Sequence, residues 1–183
     1  MGKLVVEGVD LTKFLGIPYV GSRHPGNVSI EEFLAHPELG ANCQLFTLGV
    51  LARAGFSIDY KLPMDRGERL GSKELWMDDT RTRKVAVIEG EWTLANEISL
   101  CREASRTFNL FFFWPKGVYP QNLPSDFKKL HVGICVGSLT ATHSHDVLHN
   151  AKPGPSSVWR LGDFFRSGYR PYGIKRHTYR KTG

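Results

Sequence analysis

The segment Gly40 to Phe56, GANCQLFTLGVLARAGF, constrains the fold more than any other part of the chain. Leu45, Phe46, Leu48, Val50, Leu51 and Ala52 fall on nearly every face of a helix drawn through it. A helix apolar all round has no solvent face and must be covered on several sides. Gly55 stands where a left-handed C-terminal cap belongs. The segment therefore predicts a central, buried helix, with Cys43 in its first turn just after the polar Asn42.

The elements around it follow from period and punctuation. VDLTKFLGIPYVG predicts a short helix and a turn, with Pro18 fixing the chain before Tyr19. Ser29 is placed to cap a helix over IEEFLAH, whose two glutamates complement the helix dipole. Further on, RKVAVIEG predicts a strand and WTLANEISLCREA a helix capped near Thr93. NLFFFW predicts a buried strand ended by Pro115, and GVYPQNLPSDF an irregular connection. KLHVGICVG alternates, with Val132, Ile134 and Val136 on one face and His131, Gly133 and Cys135 on the other. DVLHNA predicts the next strand, Pro153 to Pro155 a break, and YRPYGIKRH a last strand. Helices first and an antiparallel meander afterwards argue an α+β fold.

At 183 residues the chain fits one domain, residues 1–183, and 41% hydrophobic with 23% charged residues is globular rather than disordered composition. No apolar run is long enough to span a membrane, and the N-terminus lacks the apolar core of a secretory signal. The expected location is cytoplasmic, or outside the cell by a route that needs no signal or after loss of a leader. A net charge of +6, concentrated between Arg160 and Lys181, favours an anionic partner. No zinc-finger spacing, RNP-type motif or basic helix accompanies it, so no nucleic-acid partner is expected. The residue pattern leaves the oligomeric state open.

Three cysteines (Cys43, Cys101, Cys135) cannot all pair, and none has metal-ligand spacing. His143 and His145 beside Asp146 lack further ligands nearby and are read as solvated loop residues, so neither a metal nor a cofactor is expected. The aromatic run Phe111 to Trp114 has no interleaved basic residues and is read as core rather than a stacking platform.

Thiol chemistry needs a sulfur that ionises, a base within reach and a group that orients the base. A helix N-terminus beside an imidazolium favours the thiolate. Cys43 has the helix start, and His131 has a strand to hold its ring. His149, on the following strand, is placed to orient His131, since adjacent antiparallel strands present side chains on one face. Backbone N–H groups at the helix start, that of Cys43 included, suit an oxyanion. Taken singly, each residue also reads as structural: buried cysteines are commonly inert core thiols, as Cys101 and Cys135 are read here.

GIPYVG, ANCQLFTLGVLARAGF, FNLFFFW, LHVGICVG, VLHNA and GIKRH occur in that order over residues 16–176. In this set the chain resembles the NlpC family of papain-like cysteine peptidases and amidases. That family shows a PYxxGG-like approach, DCSG at a helix head, a GDLVFF strand, HVGIYxG, IHA and a GAKR-like closing strand. The resemblance implies a papain-like NlpC-type fold, with the nucleophile's helix packed on an antiparallel sheet. It implies Cys43 as nucleophile, His131 as general base and acid, and His149 as the third polar member. Tyr19 resembles the tyrosine that lines the site near the oxyanion position. Asn42 stands for the family's Asp, and Gln44-Leu45 for Ser-Gly, at positions that help shape the substrate site. Extra residues at about 22–41 and 57–105 imply a remodelled cleft.

The implied reaction is hydrolysis of an amide bond through a thioester, in a peptide or peptidoglycan fragment such as a γ-D-glutamyl-diamino acid stem peptide. Two alternatives remain open. The same fold supports a protein deamidase or acyltransferase, and a non-enzymatic module would use the basic C-terminal segment as its contact surface.

Overall fold

A computed structural model of the chain describes residues 2–58, 82–87, 102, 106–118, 130–137, 146–152, 154–177 and 179–182. Strands β1 (Val5–Val6) and β2 (Val9–Asp10) pair antiparallel around Glu7 and Gly8, both at positive φ. That is the two-residue turn whose twist suits a hairpin. Asp10 then accepts from the Thr12 backbone N–H at 2.9 Å, and a single 3-10 turn covers Thr12–Phe14. Of the short helix expected across this stretch only the 3-10 turn forms, and Val9 and Asp10 before it belong to the hairpin. Asp10 accepts at the N-terminal side of this turn, and the backbone is extended again at Leu15 (φ −88, ψ 136), which ends it.

Helix α1 (Ile30–Ala35) starts as its cap predicts, with Ser29 accepting from the Glu32 N–H at 3.0 Å. Helix α2 (Cys43–Arg53) is the buried helix, and every residue from Cys43 to Leu51 is buried. Asn42 Oδ1 accepts from the N–H groups of Gln44 (3.1 Å) and Leu45 (2.8 Å). At the other end Gly55 has φ +86, its N–H donates to Ala52 and that of Phe56 to Leu51. Those two bonds and the left-handed residue make a Schellman cap. Phe46 of α2 meets Phe14 at 5.9 Å and Phe33 of α1 at 6.5 Å, which locks the two helices and the first turn together. Each such ring contributes about 2–3 kcal/mol by leaving water.

Strands β3 (Thr82–Val87), β4 (Leu110–Trp114), β5 (His131–Gly137), β6 (Asp146–His149), β7 (Ser157–Arg160) and β8 (Arg170–His177) form an antiparallel sheet. Their order is β3-β8-β4-β5-β6-β7. The meander runs from β4 to β7; the last strand then returns to lie between β3 and β4. The protein is therefore α+β. The helix expected over residues 92–104 lies outside the described residues except for Arg102, which is helical. The irregular connection lies outside them from residue 119 onward, as do His143 and His145.

The sheet is covered on both sides. Leu110, Phe112, Val132, Ile134, Val136 and Leu148 join the α2 core. Phe111, Phe113, Cys135, Val147 and Ile174 join a second core under helix α3 (Leu161–Arg166), whose Phe164 is 1% exposed. Two-sided burial explains why β4 is apolar at every position. The alternation expected for β5 is realised, and its two parities serve two different cores.

Candidate active site

Cys43 is the first residue of α2 and is 2% exposed. Two earlier segments fold onto this helix start. Tyr19 bridges Ala41, with Val20 N donating to the Ala41 carbonyl and Ala41 N to that of Pro18 (both 3.1 Å). Asn42 N donates to the Arg23 carbonyl at 2.8 Å, while the Arg23 guanidinium reaches Gly40 O at 2.9 Å and Glu32 at 3.3 Å. Part of the 22–41 stretch thus folds back onto the residues next to the thiol. Gly40 sits at φ +83, where a Cβ would lie 2.7 Å from the Pro18 carbonyl, so the approach of these two segments requires glycine.

Among the first-turn N–H groups, Asn42 takes up three. Its side chain holds those of Gln44 and Leu45, and its carbonyl accepts from Phe46 N at 3.0 Å. The Cys43 N–H is left without an acceptor among the described residues. Asn42, expected to shape the substrate site, is here the cap that leaves this donor available.

Tyr19 is half-buried beside the same turn. Burial pushes its hydroxyl above the ordinary 10.0, and negative charge on Cys43 adds to the rise.

His131 opens β5 and His149 closes β6, so both lie at one end of the sheet. Their rings are 5.7 Å apart and nearly perpendicular. His131 packs on Phe113 at 4.7 Å, and His149 on Trp159 at 4.7 Å and Phe164 at 4.8 Å. Among the described residues neither ring nitrogen of His149 finds a hydrogen-bond partner. Burial lowers its pKa from 6.5 to about 4, so at neutral pH it is an uncharged ring in an aromatic setting. It does not orient His131 through a hydrogen bond here.

The structure brings Cys43 together with Tyr19 and Asn42, and His131 together with His149. It assigns the two groups to different sides of the sheet. His131 shares the parity of Cys135 and touches Phe113, both of the second core, whereas α2 packs on the first. No hydrogen bond joins Cys43 and His131 among the described residues. Their common ground is the sheet end, where β5 begins, β6 stops and α2 starts.

The residue that ties this end together was not singled out by sequence reasoning. Asn150, directly after His149, is fully buried, and its Nδ2 donates to Ala41 O at 3.0 Å and Pro18 O at 3.2 Å. It fastens the histidine-bearing strand to the residues just before Cys43. Ser156 fastens the next stretch, donating to Phe14 O (2.6 Å) and accepting from Ile17 N (2.7 Å). A polar residue closing an apolar strand was the available signal for Asn150.

Among the described residues, no group of three or more side chains is arranged to hold a metal ion, and no helix is long and apolar enough to cross a membrane. The arrangement is a thiol at a capped helix start, with an available N–H, a phenol, and two imidazoles at the adjoining sheet end. No protein-family model, curated protein or solved structure matches the chain.

Proposed function

We propose that the protein is a cysteine hydrolase of the NlpC-like, papain-like kind, cleaving an amide bond through a thioester on Cys43. The observation that carries this reading is the first turn of α2, where Asn42 occupies the neighbouring donors and leaves the Cys43 N–H open beside the thiol. An N–H there can hold the oxyanion as the sulfur attacks the carbonyl carbon.

In this scheme His131 takes the thiol proton and the thiolate adds to the amide carbonyl. His131 then returns the proton to the leaving nitrogen as the C–N bond breaks. A water molecule attacks the thioester, its proton passes to His131, and the acid product leaves as the thiol is restored. His131 is the first residue of its strand with its ring on the second-core side, so the pair requires a shift of the backbone at the strand end rather than a turn of the ring alone. Catalytic hydrogen bonds in substrate-free enzymes commonly tighten only when substrate is bound. His149 acts as a neutral partner of that ring, without adding charge.

The substrate proposed is a peptide of peptidoglycan type, with the γ-D-glutamyl bond to a diamino acid as the first to assay. The 22–41 stretch at the helix start supports a second reading, in which the same thioester is formed from a protein glutamine and ammonia is released.

The test is alkylation of the full chain by iodoacetamide across pH, read at each cysteine by peptide mass spectrometry. Cys43 is expected to react well below pH 7 and His131→Ala to suppress it. Reaction of Cys43 only near pH 8.5, like an ordinary thiol, or no effect of His131→Ala, overturns the proposal. Muropeptide cleavage against ammonia release then separates the two substrates.

A further inference from the structure

We propose that Lys152 is an anion-recognition residue of the Cys43 site, so that the group bound there carries a carboxylate near the reacting carbonyl. This rests on Cys43 being the nucleophile and adds the chemical character of what it attacks.

The placement follows from the latch at Asn150. Its two bonds to Ala41 and Pro18 fix the chain leaving β6 against the residues that precede Cys43. Lys152 is two residues further on and exposed, with its ammonium 5.9 Å above the ring of Tyr19. Tyr19 is in turn bridged to Ala41. One aromatic ring therefore has the thiol's turn on one flank and a lysine charge over its face.

The charges around this turn are unequal. Arg23 is engaged by Glu32. Lys152 belongs to none of the pairs His36–Glu38, Arg166–Asp163 and Lys181–Glu7. Among the described residues it meets the π face of Tyr19, which holds an ammonium without neutralising it. A positive charge held by the ring next to the nucleophile's turn, with no carboxylate on it among the described residues, favours an anionic ligand over its neutral analogue. In a peptide substrate the corresponding group is a free α-carboxylate or an acidic side chain next to the scissile amide.

The experiment compares two alkylating reagents of similar size that differ in charge, iodoacetate and iodoacetamide. It is run on the full chain near pH 9 and low salt, where both need the same thiolate and its amount cancels from the rate ratio. The iodoacetate-to-iodoacetamide ratio at Cys43 is expected to exceed that of the unfolded protein. Lys152→Gln should lower it about fivefold, the factor for one charge pair at contact distance in water. Lys152→Arg and wild type should both lose the preference in high salt. A ratio unchanged by Lys152→Gln overturns the assignment. So does a Cys43 that takes neither reagent, since no anion then reaches the thiol past Lys152. Failure of the hydrolase reading is read separately, from iodoacetamide alone below pH 7 and the His131→Ala variant.

Discussion

His149 is 3% exposed, an imidazole held between Trp159, Phe164 and the ring of His131 with no hydrogen bond to either nitrogen among the described residues. Burial holds its folded pKa at about 4, against 6.5 for an ordinary histidine. Between those values the unfolded chain binds a proton that the folded chain refuses. Its contribution to stability is therefore complete above about pH 6.5, declines as pH falls toward 4, and is level below that. At about 1.4 kcal/mol for each pH unit of that interval, the whole loss is about 3 kcal/mol. That is a large part of the 5–15 kcal/mol that holds a typical domain together. His177 titrates in the same window, lowered to about 4 by burial and then by Arg176, so wild type alone does not isolate His149. The comparison is urea unfolding of wild type and His149→Leu near pH 7 and near pH 4. Wild type should lose about 3 kcal/mol more than the variant between the two conditions. An equal loss in both proteins, or a His149 ring resonance that titrates near 6.5, would refute the dry aromatic setting.

Other outcomes follow from the packing. In α2, a Cβ on Gly49 would lie 2.3 Å from a ring carbon of Phe33, itself fully buried between Phe14 and Phe46. Gly49→Ala gains up to about 1 kcal/mol of helix propensity but loses about 1–3 kcal/mol to overpacking, so a lower urea midpoint is expected. Asn42→Ala removes both side-chain cap bonds and should cost about 1 kcal/mol by the same assay, with Asn42→Ser largely preserving stability. Cys43→Ala should abolish turnover while costing only about 1 kcal/mol of stability, because it removes one buried sulfur and leaves the rest of the side chain in place. Retained turnover would remove covalent catalysis at Cys43. Val132→Asp should prevent folding, seen as loss of the cooperative circular-dichroism transition, because it buries an unpaired charge in the α2 core.

What the sequence determined by itself was what local rules control. The buried helix, its glycine end, the cap at Ser29 and the strands at NLFFFW, HVGICVG and DVLH were legible from apolar period and end residues. So was the parity of β5. The early helix is shorter than its pattern predicts, because pairing with β1 takes Val9 and Asp10 into a hairpin and the chain is extended again at Leu15. Strand pairing and layer order were decided only by the tertiary structure. Alternation says that Val132 and His131 point opposite ways, but not which layer covers which side. That choice, made by α3 and its Phe164, carries His131 and His149 into the second core while Cys43 belongs to the first. The place of β8 between β3 and β4, the Asn150 latch and the position of Lys152 over Tyr19 are likewise contacts between distant parts of the chain. Such contacts follow from how separate elements fill common space, a property that no local stretch of residues possesses.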